Sequence, residues 1–430
     1  MPLNSGQLND VHSAFQQSSG VSSIEFDVPK LPPLLRVAVQ LKQSQLFYFS
    51  LPHQTSEWLA IGCWEAFDED GVRRFWEQLS NHEISLVGGA AFNQDATASE
   101  LPAEQWVLPK VILRKQDEQW RCQMILDCRN SHHTVSDSLA IIDELNRIDA
   151  TEILTKPLAQ SVAHVPLKEE WVAMVSQAQH QFRDSALSKV VLARQSQVEF
   201  DQELNPFCLM TFIQANDPGL IHFVQTFDNG AAFIGGTPER LFELVDSQLT
   251  SEAIAGTFKK GAEKQQVLNQ QKERDEHQYV ADYIEAALTN LCVSPISTST
   301  PSTLELKYLI HLIQEFSGQC GPGISPLDVI NGLHPTPAVG GTPQRQALDL
   351  ISELEPFSRE WYAGPVGMLS HRASRIVVAI RSGIVKKNRV TLFSGAGITN
   401  ESRPDREWDE LNLKLMGFMK VFNQDDVNIS

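Results

Sequence analysis

The sequence predicts a mixed α+β fold, and three observations carry that reading. Strand-like segments follow one another by short turns, helical segments fall between groups of strands, and no repeat of solenoid period is present. A doubly wound parallel sheet would instead alternate strand and helix along the whole chain. The 430 residues are 42% hydrophobic and 20% charged, which is ample for one large core.

In chain order, LLRVAVQL, LFYFSL and EWLAIGCW read as strands, GVRRFWEQLSNH has helical spacing, and WVLPKVILRKQDEQWRCQMIL reads as two strands about a turn. Between residues 128 and 165 the helical DSLAIIDELNRI leads into a weakly patterned stretch, TEILTKPLAQSVAHVP. The chain therefore divides into an N-terminal part of the fold, 1–165, and a catalytic part, 166–430. In the second part PLKEEWVAMVSQAQHQFRDSAL is helical, and SKVVLARQSQVEF alternates as a half-buried strand. LIHFVQTF, AAFIGG and RLFELVD are strands, and EKQQVLNQQKERDEHQYVADYIEAALTNL is a long helix. LELKYLIHLI and IQEFSGQ form a strand pair, PQRQALDLISELE a helix, and EWYAGPVGML, RIVVAIRSGIV and RVTLFSGAG three strands. PDREWDELNLKLMGFMKVF closes the sequence as an amphipathic helix.

Charge narrows the function. Against 35 Lys and Arg stand 53 Asp and Glu, a net charge of −18, which excludes a broad nucleic-acid or anionic-membrane surface while leaving room for a local cationic pocket. The six cysteines make no C-x-x-C pair and read as reduced thiols, with no zinc site. The first residues show no basic start followed by an apolar core, and no apolar run is long enough to span a bilayer, so a soluble cytoplasmic protein is expected. Phosphate-loop, dinucleotide-binding, HExxH and GxSxG signatures are all missing.

What remains is a dispersed set of residues. Two helices repeat one pattern, Glu273-x-x-Glu276 and Glu407-x-x-Glu410, and each places two carboxylates on one helical face. Like charges at that spacing repel, so something else is expected to neutralise them. Magnesium suits the task, since it rests on one or two carboxylates plus a substrate oxyanion and keeps several waters. Lys414 lies one turn beyond Glu410. Taken singly, such pairs only solvate a helix face. Just upstream, the Val390–Thr399 segment ends in Gly395-Ala396-Gly397, where the backbone is open to close approach by a ligand carboxylate.

Ordered blocks across residues 167–425 make the sequence similar to the chorismate-utilising enzymes, the family that includes anthranilate, aminodeoxychorismate, salicylate and isochorismate synthases. The carriers are SKVVLAR, GGTPERL, AIAGT, DEHQYV, YLIHLI, HPTPAVGG, WYAGPVG, AIRSG and SGAGITNESRPDREWDELNLK. The resemblance implies one large α+β domain of two packed antiparallel sheets flanked by helices, with a Mg2+ holding a carboxylate of chorismate. It implies Glu276 and Glu410 as metal ligands and Glu273 and Glu407 as supporting acids. Arg381, Tyr362, Gly395, Ala396, Gly397 and Lys414 match substrate-carboxylate contacts, and Thr257 and His311 match positions lining the ring site.

Within that family the chain is most similar to isochorismate synthases of the menaquinone type. Lys189 shares a strand face with Val191 and Ala193, and an inward lysine loses solvation, which makes it a base for water. Glu239, in an apolar pocket, would keep its proton and serve as acid. In the family a lysine at the Lys189 position accompanies water as nucleophile, whereas ammonia users tend to have glutamine. Ala255 stands where aminodeoxychorismate synthases carry a nucleophilic lysine, and Ala338 where anthranilate and salicylate synthases often carry threonine. The expected activity is therefore Mg2+-dependent conversion of chorismate to isochorismate, without an amidotransferase subunit, by a monomer or weak homodimer. A siderophore-pathway isochorismate synthase, a salicylate synthase and a non-catalytic chorismate-binding protein are the alternatives.

Overall fold

A computed structural model describes residues 5–17, 20–52, 56–79, 83–93, 99–130, 132, 134–149, 151–261 and 270–422. Within them the chain forms two antiparallel sheets packed face to face, of twelve and ten strands, as the sequence leads one to expect. The larger sheet runs, in spatial order, Val21–Asp27, Gln119–Asp127, Val111–Gln116, Ser56–Ile61, Leu46–Ser50, Ile221–Thr226, Ala231–Thr237, Ser382–Lys386, Arg389–Ile398, Lys189–Phe200 and Gly341–Thr342, with Ala159–Val165 also on Lys189–Phe200. Both sides of residue 165 contribute to it. The smaller sheet is centred on Gln248–Lys259, Leu309–Gln319, Arg240–Val245, Ala373–Val378 and Pro365–Leu369.

Side-chain alternation explains how one strand serves two cores. Phe47 and Phe49 join Trp58, Phe223, Phe233, Phe242 and Trp361 between the sheets. Leu46 and Tyr48, pointing the other way, pack with Val224 and Ile234 beneath the helices Leu34–Gln40 and Pro206–Asn216. LFYFS is buried throughout because both faces of that strand are covered.

Several local readings change. LLRVAVQL, expected as a strand, contains the helix Leu34–Gln40, and its buried Leu34, Leu35, Val37 and Ala38 make a helical stripe. So short an apolar run fits either period, and Pro33, at the N-cap, starts the helix. WVLPKVILRKQDEQWRCQMIL makes three strands, since the chain leaves the smaller sheet after Leu108 and enters the larger at Val111. The expected pair LELKYLIHLI and IQEFSGQ is mainly one long strand, Leu309–Gln319, with the short Ser302–Glu305 beside it. In EWYAGPVGML only Pro365–Leu369 is strand.

RIVVAIRSGIV splits into Ala373–Val378 and Ser382–Lys386, which belong to different sheets. The crossing is made at Arg381, whose φ of 49° lies in the left-handed region. AQSVAHV, read as weakly patterned, is an exposed edge strand. The helices Pro206–Asn216 and Pro326–Leu333 escaped the sequence reading although each carries a start signal. Asn205 accepts from the N–H groups of Phe207 and Cys208, and Ser325 forms a capping box with Asp328. Residues 263–269 of the expected long helix lie outside the described residues, which show helix over Gln271–Leu291.

Seven elements position the site: strands β1 (Lys189–Phe200), β2 (Gln248–Lys259), β3 (Leu309–Gln319) and β4 (Arg389–Ile398), and helices α1 (Gln271–Leu291), α2 (Gln344–Leu354) and α3 (Pro404–Phe422). β1 pairs with β4 in one sheet and β2 with β3 in the other. α1 packs on β2, and α3 on β4. Among the described residues no helix is long and apolar enough to cross a membrane.

Candidate active site

Between these elements lies a cleft whose empty space, with the open solvent at its mouth, is about 730 Å³. Glu239, Thr257, Glu276, His311, Ala338, Tyr362, Arg381, Gly395, Gly397, Glu410 and Lys414 all line it. Residues scattered over more than 170 positions are thus brought to one cavity by the two sheets. Lys189 stands behind this lining and reaches it through Glu276. Ala396, Glu273 and Glu407 do not line the cleft. Strand alternation sends Ala396 into the core beside Leu192, Glu273 accepts the Thr257 N–H at 3.3 Å, and Glu407 is buried on α3.

Glu239 sits in a pinned turn. The Thr237 hydroxyl donates to the Val378 carbonyl at 2.8 Å and accepts the Glu239 N–H at 3.1 Å, while Val378 N–H donates to the Glu239 carbonyl. Burial, reinforced by the nearby Glu252 carboxylate, raises the Glu239 pKa to about 8, against the pull of Lys189, Lys414 and Arg381. At neutral pH this carboxyl keeps its proton, so it can donate one.

His311 on β3 is held from both sides. Nδ1 lies 3.1 Å from the Gly256 carbonyl and Nε2 lies 2.9 Å from Arg381 Nη2. A carbonyl only accepts and a guanidinium only donates, so the ring is neutral with its proton on Nδ1. Burial, Arg381 and Lys414 all press its pKa well below the usual value. Arg381 remains charged at neutral pH although burial lowers its pKa to about 10. Nε2 of the histidine thereby aims the guanidinium.

The other side of the cleft is built from ion pairs. Lys189 is fully buried at the start of β1, and its Nζ lies 2.8 Å from Glu276 Oε1 without the alignment of a hydrogen bond. Lys414 donates to the Gly395 carbonyl at 2.9 Å and pairs with Glu410, one turn away, at 2.8 Å. Burial disfavours the Lys414 ammonium, but Glu410 outweighs it and the pKa is raised. In each i,i+3 pair one carboxylate faces a lysine, Glu276 beside Lys189 and Glu410 beside Lys414, and Glu273 turns to the Thr257 N–H.

The glycines at the end of β4 are sterically required. A Cβ at Gly395 would lie 2.7 Å from the Tyr362 hydroxyl, and one at Gly397 would lie 2.7 Å from Glu276 Oε1 and 3.0 Å from Lys189 Cε. Tyr362 stacks on Phe393 at 5.3 Å, and burial raises its pKa to about 12, so it remains a phenol. The sequence reading missed the apolar lining, Val191, Pro238, Ile254, Val339, Ile380 and Phe393. Alternation from Lys189 points to Val191, and alternation back from Gly395 and Gly397 points to Phe393. Ile380 had no such signal because the chain turns there.

A dispersed cationic and acidic cleft on two such sheets has a counterpart among known proteins. Residues 7–423 match the family model described as chorismate binding enzyme. The chain belongs to the chorismate-binding enzymes. Isochorismate synthase MenF of Haemophilus influenzae is 27% identical to this chorismate-binding enzyme over 98% of the chain and 96% of its own length. MenF of Escherichia coli is 28% identical over 88% of each. The solved structure of the menaquinone-specific isochorismate synthase MenF from Escherichia coli superposes with a TM-score of 0.86 at 25% identity, covering 97% of this chain and 99% of that one. Anthranilate synthase component I from Streptococcus pneumoniae shares the fold, with a TM-score of 0.71 at 19% identity over 93% of this chain and 92% of the other.

Among the described residues of this chorismate-binding enzyme, no three acidic, histidine or cysteine side chains gather into a complete metal cage. Glu276 and Glu410 nevertheless both face the cleft, each neutralised by a lysine. That donor set fits a hard cation of the Mg2+ kind, which takes one or two protein carboxylates and completes its shell from substrate and water.

Proposed function

We propose that the protein is an isochorismate synthase that converts chorismate to isochorismate in menaquinone biosynthesis. Water adds at C2, the ring double bonds shift, and the C4 hydroxyl leaves as water. The observation that carries this reading is a protonated Glu239 in the same cleft that Lys189 approaches from behind Glu276. Two strands separate the one leading to Glu239 from β1 in the larger sheet. Three inter-strand spacings amount to roughly 14 Å between main chains, enough for side chains to bracket a six-membered ring.

Glu239 then donates its proton to the departing C4 oxygen, and Lys189, acting as the neutral amine, takes one from the attacking water. Arg381, oriented by His311, and Lys414 with the β4 glycines hold substrate carboxylates. Glu276 and Glu410, supported by Glu273 and Glu407, would hold Mg2+, which when bound neutralises a carboxylate of the substrate. Tyr362 and Thr257 complete the binding surface, and apolar Val191, Ile254 and Phe393 keep water scarce. Ala255 and Ala338 offer no nucleophile and no hydroxyl, which favours release of isochorismate with its pyruvyl ether intact. Water as nucleophile needs no ammonia supplier, which supports an enzyme acting alone in the cytoplasm as a monomer or weak homodimer.

Full-length similarity to MenF relatives supports the menaquinone assignment. The test is purified protein with chorismate and Mg2+, resolved by chromatography and by a coupled assay for pyruvate. Isochorismate without pyruvate is expected, and Lys189→Ala should reduce turnover at least 10²-fold while the protein remains folded. Stoichiometric pyruvate would make it a salicylate synthase, and tight chorismate binding with no turnover would make it a binding protein.

A further inference from the structure

The sheet around β1 has a gap. Along one edge β1 pairs with Gly341–Thr342 at residues 189–190 and with Ala159–Val165 from residue 195 onward. Among the described residues the intervening stretch has no neighbouring strand on that side, although Val191 lines the cleft there. Buried backbone groups in such a gap need partners, and two charged side chains supply them. Glu355, just past α2, accepts the Ala193 N–H at 2.7 Å. Arg359 donates to the Val191 carbonyl at 2.6 Å and to the Val339 carbonyl at 2.9 Å. The two side chains are joined at 2.8 Å and 2.5 Å, and both are almost wholly buried. The Arg359 guanidinium also covers the face of Phe92, 4.3 Å from its centroid.

This fork links two walls of the cleft. Val191 belongs to the strand that begins at Lys189, and Val339 follows Ala338 on the loop that runs into Gly341–Thr342, where the Gly340 carbonyl accepts the Val191 N–H at 2.9 Å. A lysine carries its donors on one nitrogen, whereas the guanidinium spreads them over a planar fork that reaches both carbonyls while gripping Glu355.

We propose that Arg359, seated on Glu355, is a positioning residue that replaces the missing strand beside β1 and sets the spacing between the Lys189 wall and the Ala338 wall. The inference rests on the isochorismate synthase reading, because the spacing matters through the placement of the ring between those walls. Arg359 does not line the cleft. Its loss should therefore act on kcat more than on KM, since the carboxylate contacts lie elsewhere and small misplacements of reacting groups are costly.

The test compares the full-length wild type with Arg359→Lys, under saturating Mg2+ and chorismate. We expect kcat to fall at least tenfold, KM to change less than threefold and the alkaline limb of the pH profile to stay in place. A folded Arg359→Lys enzyme with wild-type kcat overturns the proposal, as does a loss of kcat fully explained by a smaller active fraction in active-site titration. Should the lysine variant fail to fold, Glu355→Gln with Arg359→Gln removes both charges while keeping an acceptor for the Ala193 N–H and a donor for the Val191 carbonyl. That pair should fold and turn over at least tenfold slower, and wild-type turnover in it would equally overturn the proposal. A wild type that makes no isochorismate defeats the functional reading by itself, before any variant is compared.

Discussion

The two sides of the cleft handle buried charge in opposite ways. At Lys189–Glu276 and Lys414–Glu410, each carboxylate lies 2.8 Å from a lysine Nζ. At Glu239 no cation among the described residues comes to bond distance, burial dominates, and the carboxyl holds its proton to about pH 8. The same residue type thus becomes a candidate ligand on one side and a candidate acid on the other. Environment makes the difference, through partner distance and desolvation.

Removing the metal should have the largest effect on that contrast. With excess chelator, turnover of chorismate should vanish and return on adding Mg2+, and chorismate binding followed by calorimetry should weaken in parallel. Unchanged binding would mean that the lysines alone neutralise the site.

Next in size, Glu239→Gln should lower kcat by about 10²–10⁴-fold. In the wild type kcat/KM should fall as pH rises through about 8, where Glu239 ionises. The same variant separates activity from stability. The pKa of Glu239 is raised on folding from 4.5 to about 8, so the folded state holds the extra proton between those values. Stability from this group is complete below pH 4.5 and is lost as pH rises toward 8. Glu239→Gln should therefore gain thermal midpoint relative to wild type between pH 5 and 8, with the gain level above that. No pH-dependent gain in calorimetry would place the proton elsewhere.

The smallest effect concerns the ion-paired side. Gly397→Ala forces a methyl to within 2.7 Å of Glu276 Oε1 and should push that carboxylate from its place. We expect about a tenfold weaker apparent affinity for Mg2+ in activity titrations, with little change in the Glu239 limb. Equal damage to both would show that the two sides do not act separately.

Much of the candidate site was legible in the sequence because its residues fall in ordered motifs of the family that the chain resembles. Glu239 after Thr-Pro, Lys189 in an alternating strand and two glycines at a strand end each say little alone and gain meaning from that order. Arg359 was not legible, since its partners at Val191, Val339 and Glu355 lie in three separate segments. The neutral tautomer of His311 was equally hidden, because it depends on Gly256 and Arg381, neither adjacent in the chain.

Sequence alone determined the α+β class, the acidic surplus, the local cationic set and the family, because composition, periodicity and ordered motifs are properties of the chain itself. It misread LLRVAVQL and RIVVAIRSGIV for a reason of the same kind: a short apolar run has no period of its own, and a turn at Arg381 leaves no pattern. Only the tertiary structure decided which glutamate keeps its proton, which two are held by lysines, and how β1 is completed without a neighbouring strand. Desolvation and ion pairing depend on what distant segments place within a few ångströms, and that is set when the two sheets pack.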